Sequence, residues 1–478
     1  MRRSRALIAT SIAAAVTLVL TLLGGSAAAS PRGKIVIDVW LAQFPIPGHL
    51  DARYAQAAAF NLAHPEYEVR ITEMPYTDIP REVYRASRNG TAPDIANYYH
   101  HGSQIARDAR ARGGKPLFTS VERAIAGRSR ILGERVVLDD VVEQFGDFYS
   151  YRGELLSMPS TAMTPVLYAN TTLLQAAGIT TIPRTWQEID AACAQLAAHA
   201  GSPDHCISWA NTNWFFQQAV AQQGGQLANN DNGRSGRATR VNLATPEMMS
   251  FVNWWKRLND AGHYLYGGYT GTPDDWGTPF GAFIGQQVAF IFDAPVSEGF
   301  LRQFADQGGY QIQSAQLPHN AGVRYSGNAV SGDSLWLKAG LSRARQDGAL
   351  AFMNYLNSPQ NAAAYHQSSF YLPMTDPSVD LLQSQGWFAQ HPAPKIGIDQ
   401  VRLGNGRPGS MSPIVGDFDG VQRQFTQAMD DVLVGGADPL TRFRQATADA
   451  QQRLNAYNLR CTGFGPRPDE CFNLVAAG

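Results

Sequence analysis

The stretch Lys34-Ile-Val-Ile-Asp-Val-Trp40 decides the fold class, because its apolar and β-branched residues predict a buried opening strand. A helix is predicted next, over 52–63, and the alternation of residues 68–73 predicts a second strand. A second helix is predicted over 81–89, and residues 92–98 are a candidate third strand. This order of strands and helices predicts a parallel sheet with crossover helices, which is an α/β fold.

The same signals continue towards the C-terminus. Thr185 is a good N-cap for a helix over 186–199, with Glu188 at the reciprocal position of a capping box. The run Asn229-Asn230-Asp231-Asn232-Gly233 predicts a hairpin turn, because it lacks the closing glutamate of a calcium loop. Further strands are predicted at 166–169, 287–292 and 334–338, and further helices at 246–261, 343–356, 425–434 and 440–454.

Length and composition bound the possible classes of protein. The chain has 478 residues, which is room for two or three domains or for two lobes. Hydrophobic residues make up 44% of the chain and the formal net charge is −1, so a disordered chain is excluded. Without a basic excess to displace counterions from phosphates, the composition argues against a nucleic-acid-binding protein.

The first residues have the three parts of a secretory signal. Arg2, Arg3 and Arg5 precede an apolar run over 6–23, and small residues follow over 24–30. We expect residues 1–29 to be a signal peptide; a retained membrane anchor is the alternative, which the small-residue cleavage site disfavours. The mature protein is then exported, to the periplasm or to the medium. No cysteine lies near the cleavage site, so we expect no lipid attachment there.

Four cysteines occur, and an exported protein with an even number of cysteines is expected to form disulfides. Three pairings are possible, and the two that close short loops meet most easily. A zinc site or a catalytic thiol is a minor alternative. The expected pairs are Cys193 with Cys206, and Cys461 with Cys471.

Several motifs together resemble a known family. They are Tyr168-Ala169-Asn170, Ala177-Gly178-Ile179, Thr185-Trp186-Gln187-Glu188 and Tyr355-Leu-Asn-Ser-Pro-Gln360. The set resembles the family 1 extracellular solute-binding proteins, which capture ligands for bacterial ABC importers of sugars, polyols and related solutes. Gly332-Asp333-Ser334-Leu335-Trp336 and Arg402-Leu403-Gly404-Asn405 are similar to the glycerol-3-phosphate-binding subgroup. The resemblance covers about residues 34–457.

The resemblance implies a type II periplasmic-binding-protein fold, in which two α/β lobes enclose the ligand. It implies chain crossings near Pro159, Ala305 and Ser358. The expected first lobe comprises residues 30–160 and 306–357, and the expected second lobe comprises 161–305 and 358–478. The implied protein is a monomer without a cofactor or metal, it carries out no reaction, and its partners are a small solute and the membrane permease.

The subgroup's ligand-binding positions can be transferred one at a time. Four of them match, and they fall on Tyr76 (or Thr77 with a different gap), Ser297, Gly332 and Tyr371. Three positions depart: His100 replaces an acid, Met163 replaces a serine, and Gln422 stands at the arginine expected for a phosphate. Either Arg423 or Arg402 could supply that charge. The expected ligand is therefore a sugar, a polyol, glycerol 3-phosphate or a glycerophosphodiester.

The residues themselves offer other candidates. Among the aromatic side chains, Trp214 and Tyr371 lie in polar, turn-like stretches and are candidates to stack on a sugar face. His100-His101 could indicate a metal, but a third ligand at helical spacing is missing. A secreted carbohydrate-active hydrolase would need a carboxylate pair. The available carboxylates, each also explained as a helix cap or a solvated residue, are Asp274, Asp275, Glu298, Asp417 and Asp419.

Overall fold

The computed structural model describes residues 33–44, 49–463 and 471. The signal peptide predicted for residues 1–29 lies outside the described residues. Among the described helices, none combines the length and the apolar character that crossing a membrane requires.

The strands and helices are numbered in chain order. The strands are β1 (Ile35–Gln43), β2 (Tyr67–Pro75), β3 (Ile95–Tyr99), β4 (Phe118–Thr119), β5 (Arg130–Ile131), β6 (Glu134–Arg135), β7 (Ser150–Tyr151), β8 (Glu154–Leu155), β9 (Met158–Met163), β10 (Val166–Asn170), β11 (Ile207–Ser208), β12 (Phe290–Asp293), β13 (Ile312–Ala315) and β14 (Ser331–Lys338). The helical segments are α1 (His49–Ala63), α2 (Ile79–Asn89), α3 (Ser103–Asp108), α4 (Val121–Ile125), α5 (Glu143–Phe148), α6 (Thr171–Ala176), α7 (Trp186–Ala198), α8 (Asn213–Gln222), α9 (Asn229–Gly233), α10 (Pro246–Asp260), α11 (Gly277–Ile284), α12 (Glu298–Gly308), α13 (Arg343–Leu356), α14 (Pro359–Ser369), α15 (Asp376–Ser384), α16 (Trp387–Gln390), α17 (Pro392–Arg402), α18 (Phe418–Leu433) and α19 (Pro439–Arg460).

The first sheet is the one predicted from the opening strand. Its strand order is β2-β1-β3-β14-β4, with β9 also paired to β14. β1 pairs in parallel with both β2 and β3, so the predicted strand, helix, strand, helix, strand unit is confirmed. β14 joins β3 antiparallel, and apolar side chains of this sheet and its helices form the core of the first lobe.

The second sheet has four strands in the order β11-β12-β10-β13. β11 and β12 are parallel, whereas β10 is antiparallel to both of its neighbours. A large aromatic core packs against this sheet and contains Trp209, Trp254 and Trp255, all at most 1% exposed. These strands define the second lobe.

The places at which the chain passes between the two sheets differ from two of the three expected crossings. β9 belongs to the first sheet and β10 to the second, so the first crossing is at residues 164–165, close to Pro159. The expected crossing near Ala305 is wrong, because Ala305 lies within α12 and β13 still pairs with β10. The second crossing therefore lies between β13 and β14, and the range 306–357 starts too early for the first lobe.

The crossing expected near Ser358 is also wrong. Helix α14 packs against α1 of the first lobe, and Leu372, Met374 and Val379 belong to the first lobe's core. The Leu372 N–H donates to the Ala162 carbonyl on β9, at 2.9 Å. Residues 358–388 therefore add to the first lobe, since their apolar side chains are buried there. Helix α17 contacts both lobes, because Ile398 and Val401 belong to the first lobe's core and Ala393 packs with residues of β10. Helices α18 and α19 pack mainly into the second lobe's core.

Local signals in the sequence match the structure closely. The Thr185 hydroxyl accepts from the Glu188 N–H at 3.2 Å, and the Glu188 carboxylate accepts from the Thr185 N–H at 3.3 Å, so the predicted capping box is present. The segment α9 is a left-handed turn rather than a right-handed helix, with φ between 52° and 56° at 230–232. It connects Ala228 to Val241, which form an antiparallel bridge, as the predicted hairpin turn requires.

Both expected disulfides are present. Cys193 on α7 is bonded to Cys206 beside β11, and Cys461 at the end of α19 is bonded to Cys471. The first pair attaches a helix of the second lobe to its sheet, and both of its cysteines are buried.

The Cys193–Cys206 disulfide closes a loop with a sequence separation of 13. Removing it with Cys193→Ala and Cys206→Ala is expected to lower the free energy of unfolding by about 3 kcal/mol, because the unfolded chain gains loop entropy. Guanidinium-induced unfolding measures this loss. The variant with Cys461→Ala and Cys471→Ala, which lacks the other disulfide, is measured for comparison. A free energy of unfolding equal to that of the wild type would contradict the expectation.

Candidate ligand-binding site

The ends of four strands place the candidate site. Gln43 at the end of β1 is in register with Pro75 at the end of β2, and Tyr99 at the end of β3 is opposite Asp333 near the start of β14. The carboxyl ends of parallel strands, where the connecting loops begin, are common ligand sites in α/β proteins. The loops after β1, β2 and β3 therefore share one edge of the first lobe.

Aromatic side chains gather at this edge. The ring centroids of Phe44 and Tyr76 are 5.1 Å apart in a stacked arrangement, and those of Phe44 and Tyr99 are 5.2 Å apart. Tyr99 also contacts His101, with ring centroids 4.7 Å apart. We call these four residues the aromatic wall. The structure thus places Tyr76 in this group, whereas the alternative Thr77 is exposed.

His100 and Gly332 are in contact beneath the aromatic wall. The Gly332 N–H donates to Nδ1 of His100 at 3.5 Å, and His100 is only 3% exposed. Burial and the neighbouring His101 hold the pKa of His100 well below its usual value, so its ring is neutral and Nδ1 accepts. Gly332 has a φ of +141°, and a Cβ built there would lie 2.0 Å from the Thr161 carbonyl oxygen. Only glycine fits this close approach.

Asp333 is a buried group that the sequence reasoning missed. Its side chain is buried, its Oδ1 has no hydrogen-bond partner among the described residues, and burial raises its pKa. The charge of Asp333 also raises the pKa of Tyr99 and of Tyr371, although burial is the larger cause for both, so the three side chains lie near one another. Tyr371, an expected site residue, is 1% exposed. The sequence signal that could have identified Asp333 is its position directly after Gly332, which is an expected site residue.

Met163 lies at the end of β9, beside the first crossing. It is paired with Ser331 at the start of β14, and the Ser331 hydroxyl donates to its carbonyl at 3.4 Å. Ser331 directly precedes Gly332, so Met163 is brought to the same edge as His100. Its side chain is partly exposed and offers an adaptable apolar surface.

Two expected site residues of the second lobe, Trp214 and Ser297, follow β11 and β12. Trp214 lies in the first turn of α8 rather than in a loop, with its ring centroid 5.9 Å from that of Trp276. Its indole N–H is buried and has no partner among the described residues. Ser297 is partly exposed just before α12 and close to Asp293 at the end of β12. Burial raises the pKa of Asp293 to about 6, against the opposing effects of the Ala294 N–H and the Ser297 hydroxyl.

Gln422 and Arg423 are neighbours on α18, but their side chains are buried to different extents. Gln422 is 4% exposed and lines a cavity of about 10 Å³ inside the second lobe's core, with Phe418 and Phe425. Arg423, one residue further along the helix, is partly exposed, and its buried Nε has no partner among the described residues. Consecutive helical residues point in directions about 100° apart, so the two side chains cannot serve the same surface. Arg423 is the more exposed of the two, whereas the amide Nε2 and Oε1 of Gln422 are buried and also have no partner among the described residues.

The two lobes meet at the aromatic wall. Nδ1 of His101 lies 2.8 Å from Oδ1 of Asp419 on α18, and the His101 ring stacks on Phe418 at 4.5 Å. Burial raises the pKa of Asp419, but the contact with His101 and the charge of Arg423 outweigh it, and the pKa is lowered. Burial and the charge of Asp419 raise the pKa of Tyr76. Residues of both lobes therefore meet beside the aromatic wall.

Arg402 is not brought into this group. Its side chain is exposed at the end of α17 and forms an ion pair with Asp376 at the start of α15. The expectation that Arg402 could take the place of the phosphate-binding arginine is therefore not supported by its position.

Four of the five carboxylates that a hydrolase would use have structural partners. Asp275 accepts from the N–H groups of Thr270 and Gly271, at 2.7 and 3.0 Å. Glu298 accepts from Arg302 and from the Ala393 N–H. Asp417 caps α18 and pairs with Arg453. Asp274 is exposed, and Asp419 pairs with His101. Within the described ranges, no three His, Cys, Asp or Glu side chains are arranged to hold a metal ion.

Comparison with known proteins now identifies the family. The model of the bacterial extracellular solute-binding protein family matches residues 55–395. The chain belongs to this family. The expected resemblance to extracellular solute-binding proteins is confirmed.

Relatives with similar sequences include the sn-glycerol-3-phosphate-binding periplasmic protein UgpB of Pectobacterium atrosepticum. It is 27% identical over 382 residues, which are 76% of this chain and 82% of that protein. UgpB of Salmonella typhimurium is 26% identical over 412 residues, which are 82% of this chain and 90% of that protein.

Solved structures agree on the fold. The cyclic α-maltosyl-1,6-maltose-binding protein of Arthrobacter globiformis matches with a TM-score of 0.71 at 20% identity, over 89% of this chain and 100% of that one. UgpB of Mycobacterium tuberculosis, solved with glycerophosphocholine, matches with a TM-score of 0.64 at 18% identity, over 90% and 99%. The expected two-lobe, type II periplasmic-binding-protein fold is confirmed.

Proposed function

We propose that this protein captures a glycerol-phosphate compound between its lobes and delivers it to the permease of an ABC importer. The solute is glycerol 3-phosphate or a glycerophosphodiester. The observation that carries the proposal is the position of Arg423, on the second-lobe helix that meets the aromatic wall.

Arg423 has the properties that a phosphate-binding group needs. Its Nε is buried without a partner among the described residues, so a ligand oxygen can accept from it without displacing a protein acceptor. Burial raises the pKa of Tyr269, and the charge of Arg423 opposes this, so the two groups are close. A guanidinium binds phosphate through charge-assisted hydrogen bonds, which are about twice as strong as neutral ones. Arg423 therefore supplies the charge that Gln422 cannot.

The aromatic wall suits the remainder of such a solute. Three aromatic rings and one imidazole cover the first-lobe side, and aromatic faces attract C–H groups and cations. Neutral His100 accepts from the Gly332 N–H at Nδ1, which leaves its Nε2–H as a donor to a hydroxyl. A sugar is the second candidate, because the same rings could stack on a pyranose and the maltose-type binding proteins share the fold.

Closure of the lobes accounts for capture and release. The His101–Asp419 contact joins the two lobes, and we expect it to break when the lobes open to release the solute. Four of the five carboxylates that hydrolysis would use are bound to structural partners, which supports release of the solute chemically unchanged. The protein acts outside the cytoplasm, as expected from its N-terminal sequence and supported by its periplasmic relatives.

Isothermal titration calorimetry tests the solute. The purified mature protein is titrated with glycerol 3-phosphate, glycerophosphocholine and maltose, and the bound solute is recovered for mass spectrometry. Saturable one-to-one binding of a glycerol-phosphate compound, recovered intact, supports the proposal. Binding of maltose alone supports the sugar reading, and a hydrolysed product supports an enzyme.

A further inference from the structure

A second arginine is buried without adequate partners, away from α18. Arg234, which follows the turn α9 in the second lobe, is 7% exposed. Its Nε and Nη2 are buried and have no hydrogen-bond partner among the described residues, and Nη1 makes only a 3.4 Å contact with the Asn232 carbonyl. Burying charged donors without acceptors is strongly unfavourable. The group therefore requires an acceptor that the described side chains do not supply.

Residues of the first lobe surround Arg234. The guanidinium of Arg107 on α3 donates two hydrogen bonds to the Gly233 carbonyl, both at 3.1 Å. The Arg152 N–H donates to the Arg234 carbonyl at 3.0 Å. The Arg234 guanidinium lies 4.9 Å from the centre of the Phe148 ring. We call these residues the seam, because they join the two lobes beside the candidate site.

The charges at the seam are unbalanced in favour of an anion. Arg107, Arg152, Arg234 and Arg237 bring four positive charges, whereas Asp108, Asp147 and the neighbouring Glu143 bring three negative ones. Arg237 pairs with Asp108. Asp147 is near enough for the charge of Arg234 to act on it, but no hydrogen bond joins the two, and burial raises the pKa of Asp147. Burial and the charge of Arg107 lower the pKa of Arg234 to about 9, so it remains charged at neutral pH.

We propose that the seam is an oxyanion-binding site, in which the Nε and Nη2 edge of Arg234 binds two oxygens of a phosphate group and Arg107 adds a second positive charge. The planar guanidinium edge matches two oxygens of one phosphate. Because Phe148 also lies 5.8 Å from His100, the site adjoins the candidate ligand site. The phosphate is either free inorganic phosphate or the phosphate group of the captured solute, which in that case binds Arg234 instead of Arg423, and the proposal holds for both.

Thermal unfolding tests this site with inorganic phosphate, compared with chloride at equal ionic strength. We expect phosphate near 100 times its Kd to raise the Tm of the wild type by roughly 3 °C. Arg234→Gln is expected to abolish this rise, whereas Arg240→Gln, which removes an exposed charge nearby, is expected to keep it. Without phosphate, Arg234→Gln should unfold no earlier than the wild type, because it removes a buried unpaired charge. A wild type that does not respond, or an Arg234→Gln variant that responds fully, overturns the proposal.

The same variants identify the source of the phosphate. If glycerol 3-phosphate no longer stabilises Arg234→Gln, the occupant is the phosphate group of the solute. If that stabilisation survives while the response to inorganic phosphate is lost, the occupant is free phosphate. Failure of glycerol 3-phosphate to bind the wild type refutes the proposed solute but leaves the seam to be judged by inorganic phosphate.

A second measurement avoids the variant altogether, in case Arg234→Gln does not fold. Crystals of the wild type are soaked in selenate, which has the shape and charge of a tetrahedral oxyanion, and anomalous scattering locates selenium. A peak within hydrogen-bonding reach of Nε and Nη2 of Arg234 supports the site. The absence of a selenium peak near Arg234, in a crystal whose electron density defines the seam, overturns the proposal.

Discussion

Replacing Arg423 by glutamine is expected to weaken the binding of glycerol 3-phosphate by between roughly 10-fold and 100-fold, since a hydrogen bond to a charged group contributes about 1.5–3 kcal/mol. Glutamine retains a donor and most of the volume but loses the positive charge. Because Nε of Arg423 is buried without a partner, the unliganded variant should be at least as stable as the wild type. Calorimetry gives the affinity, and thermal unfolding gives the stability.

Arg444→Gln is the matched control for this prediction. Arg444 is exposed on α19, so the variant removes the same charge from the same lobe without touching the candidate site. We expect its affinity for glycerol 3-phosphate to stay within about twofold of the wild type, because an exposed charge is screened by salt. If Arg423→Gln also binds with wild-type affinity, another group holds the phosphate and the proposed role of Arg423 is wrong.

Gly332→Ala is expected to lower the free energy of unfolding by about 3 kcal/mol. The added Cβ would lie 2.0 Å from the Thr161 carbonyl oxygen, at a φ of +141°. Either β14 or β9 must move, and the Gly332 N–H then no longer reaches His100. Urea-induced unfolding measures the loss of stability. Calorimetry should also show weaker solute binding, because His100 loses its contact with the Gly332 N–H.

Gly340→Ala separates the collision from the backbone strain. Gly340 also has a positive φ, +74°, but a Cβ built there meets nothing within 4 Å. Its expected loss is about 1 kcal/mol, which is the cost of a left-handed conformation for alanine. Equal losses for the two variants would show that the contact between β14 and β9 is looser than the structure indicates.

Much of the fold could be predicted because its signals are local. The opening strand, the two helices that follow the first two strands, and the capping box at Thr185 depend on residues that are neighbours in sequence. The disulfide pairs were predictable for the same reason, since short loops close easily. In each case the two interacting residues are close to each other in the sequence.

The division into lobes could not be predicted from such signals. The sequence of residues 358–402 predicts helices but not the lobe that they pack against. Nothing in it indicates that Leu372 packs against β9 of the first lobe rather than against a strand of the second lobe. β13 is only four residues long, too short for its pairing with β10 to be predicted. Both errors concern contacts between segments that are far apart in sequence.

The candidate site was predicted in part. Tyr76, His100 and Gly332 lie together because strand order fixes the ends of β2, β3 and β14 at one edge. The choice between Gln422 and Arg423 depends on the rotation of α18 about its axis. A shift of one residue along the helix turns the side chain by about 100°, which is enough to move it from the core to the surface. Arg234 carries no motif at all, since its importance comes from residues on the other lobe.

A crystal structure of the protein grown with glycerol 3-phosphate tests the central claim most directly. We predict one solute molecule enclosed between the two lobes, with phosphate oxygens within hydrogen-bonding distance of Arg423 and the glycerol carbons against Tyr76 and Tyr99. Solute bound only on the outer surface of one lobe, or no solute at saturating concentration, would contradict capture between the lobes.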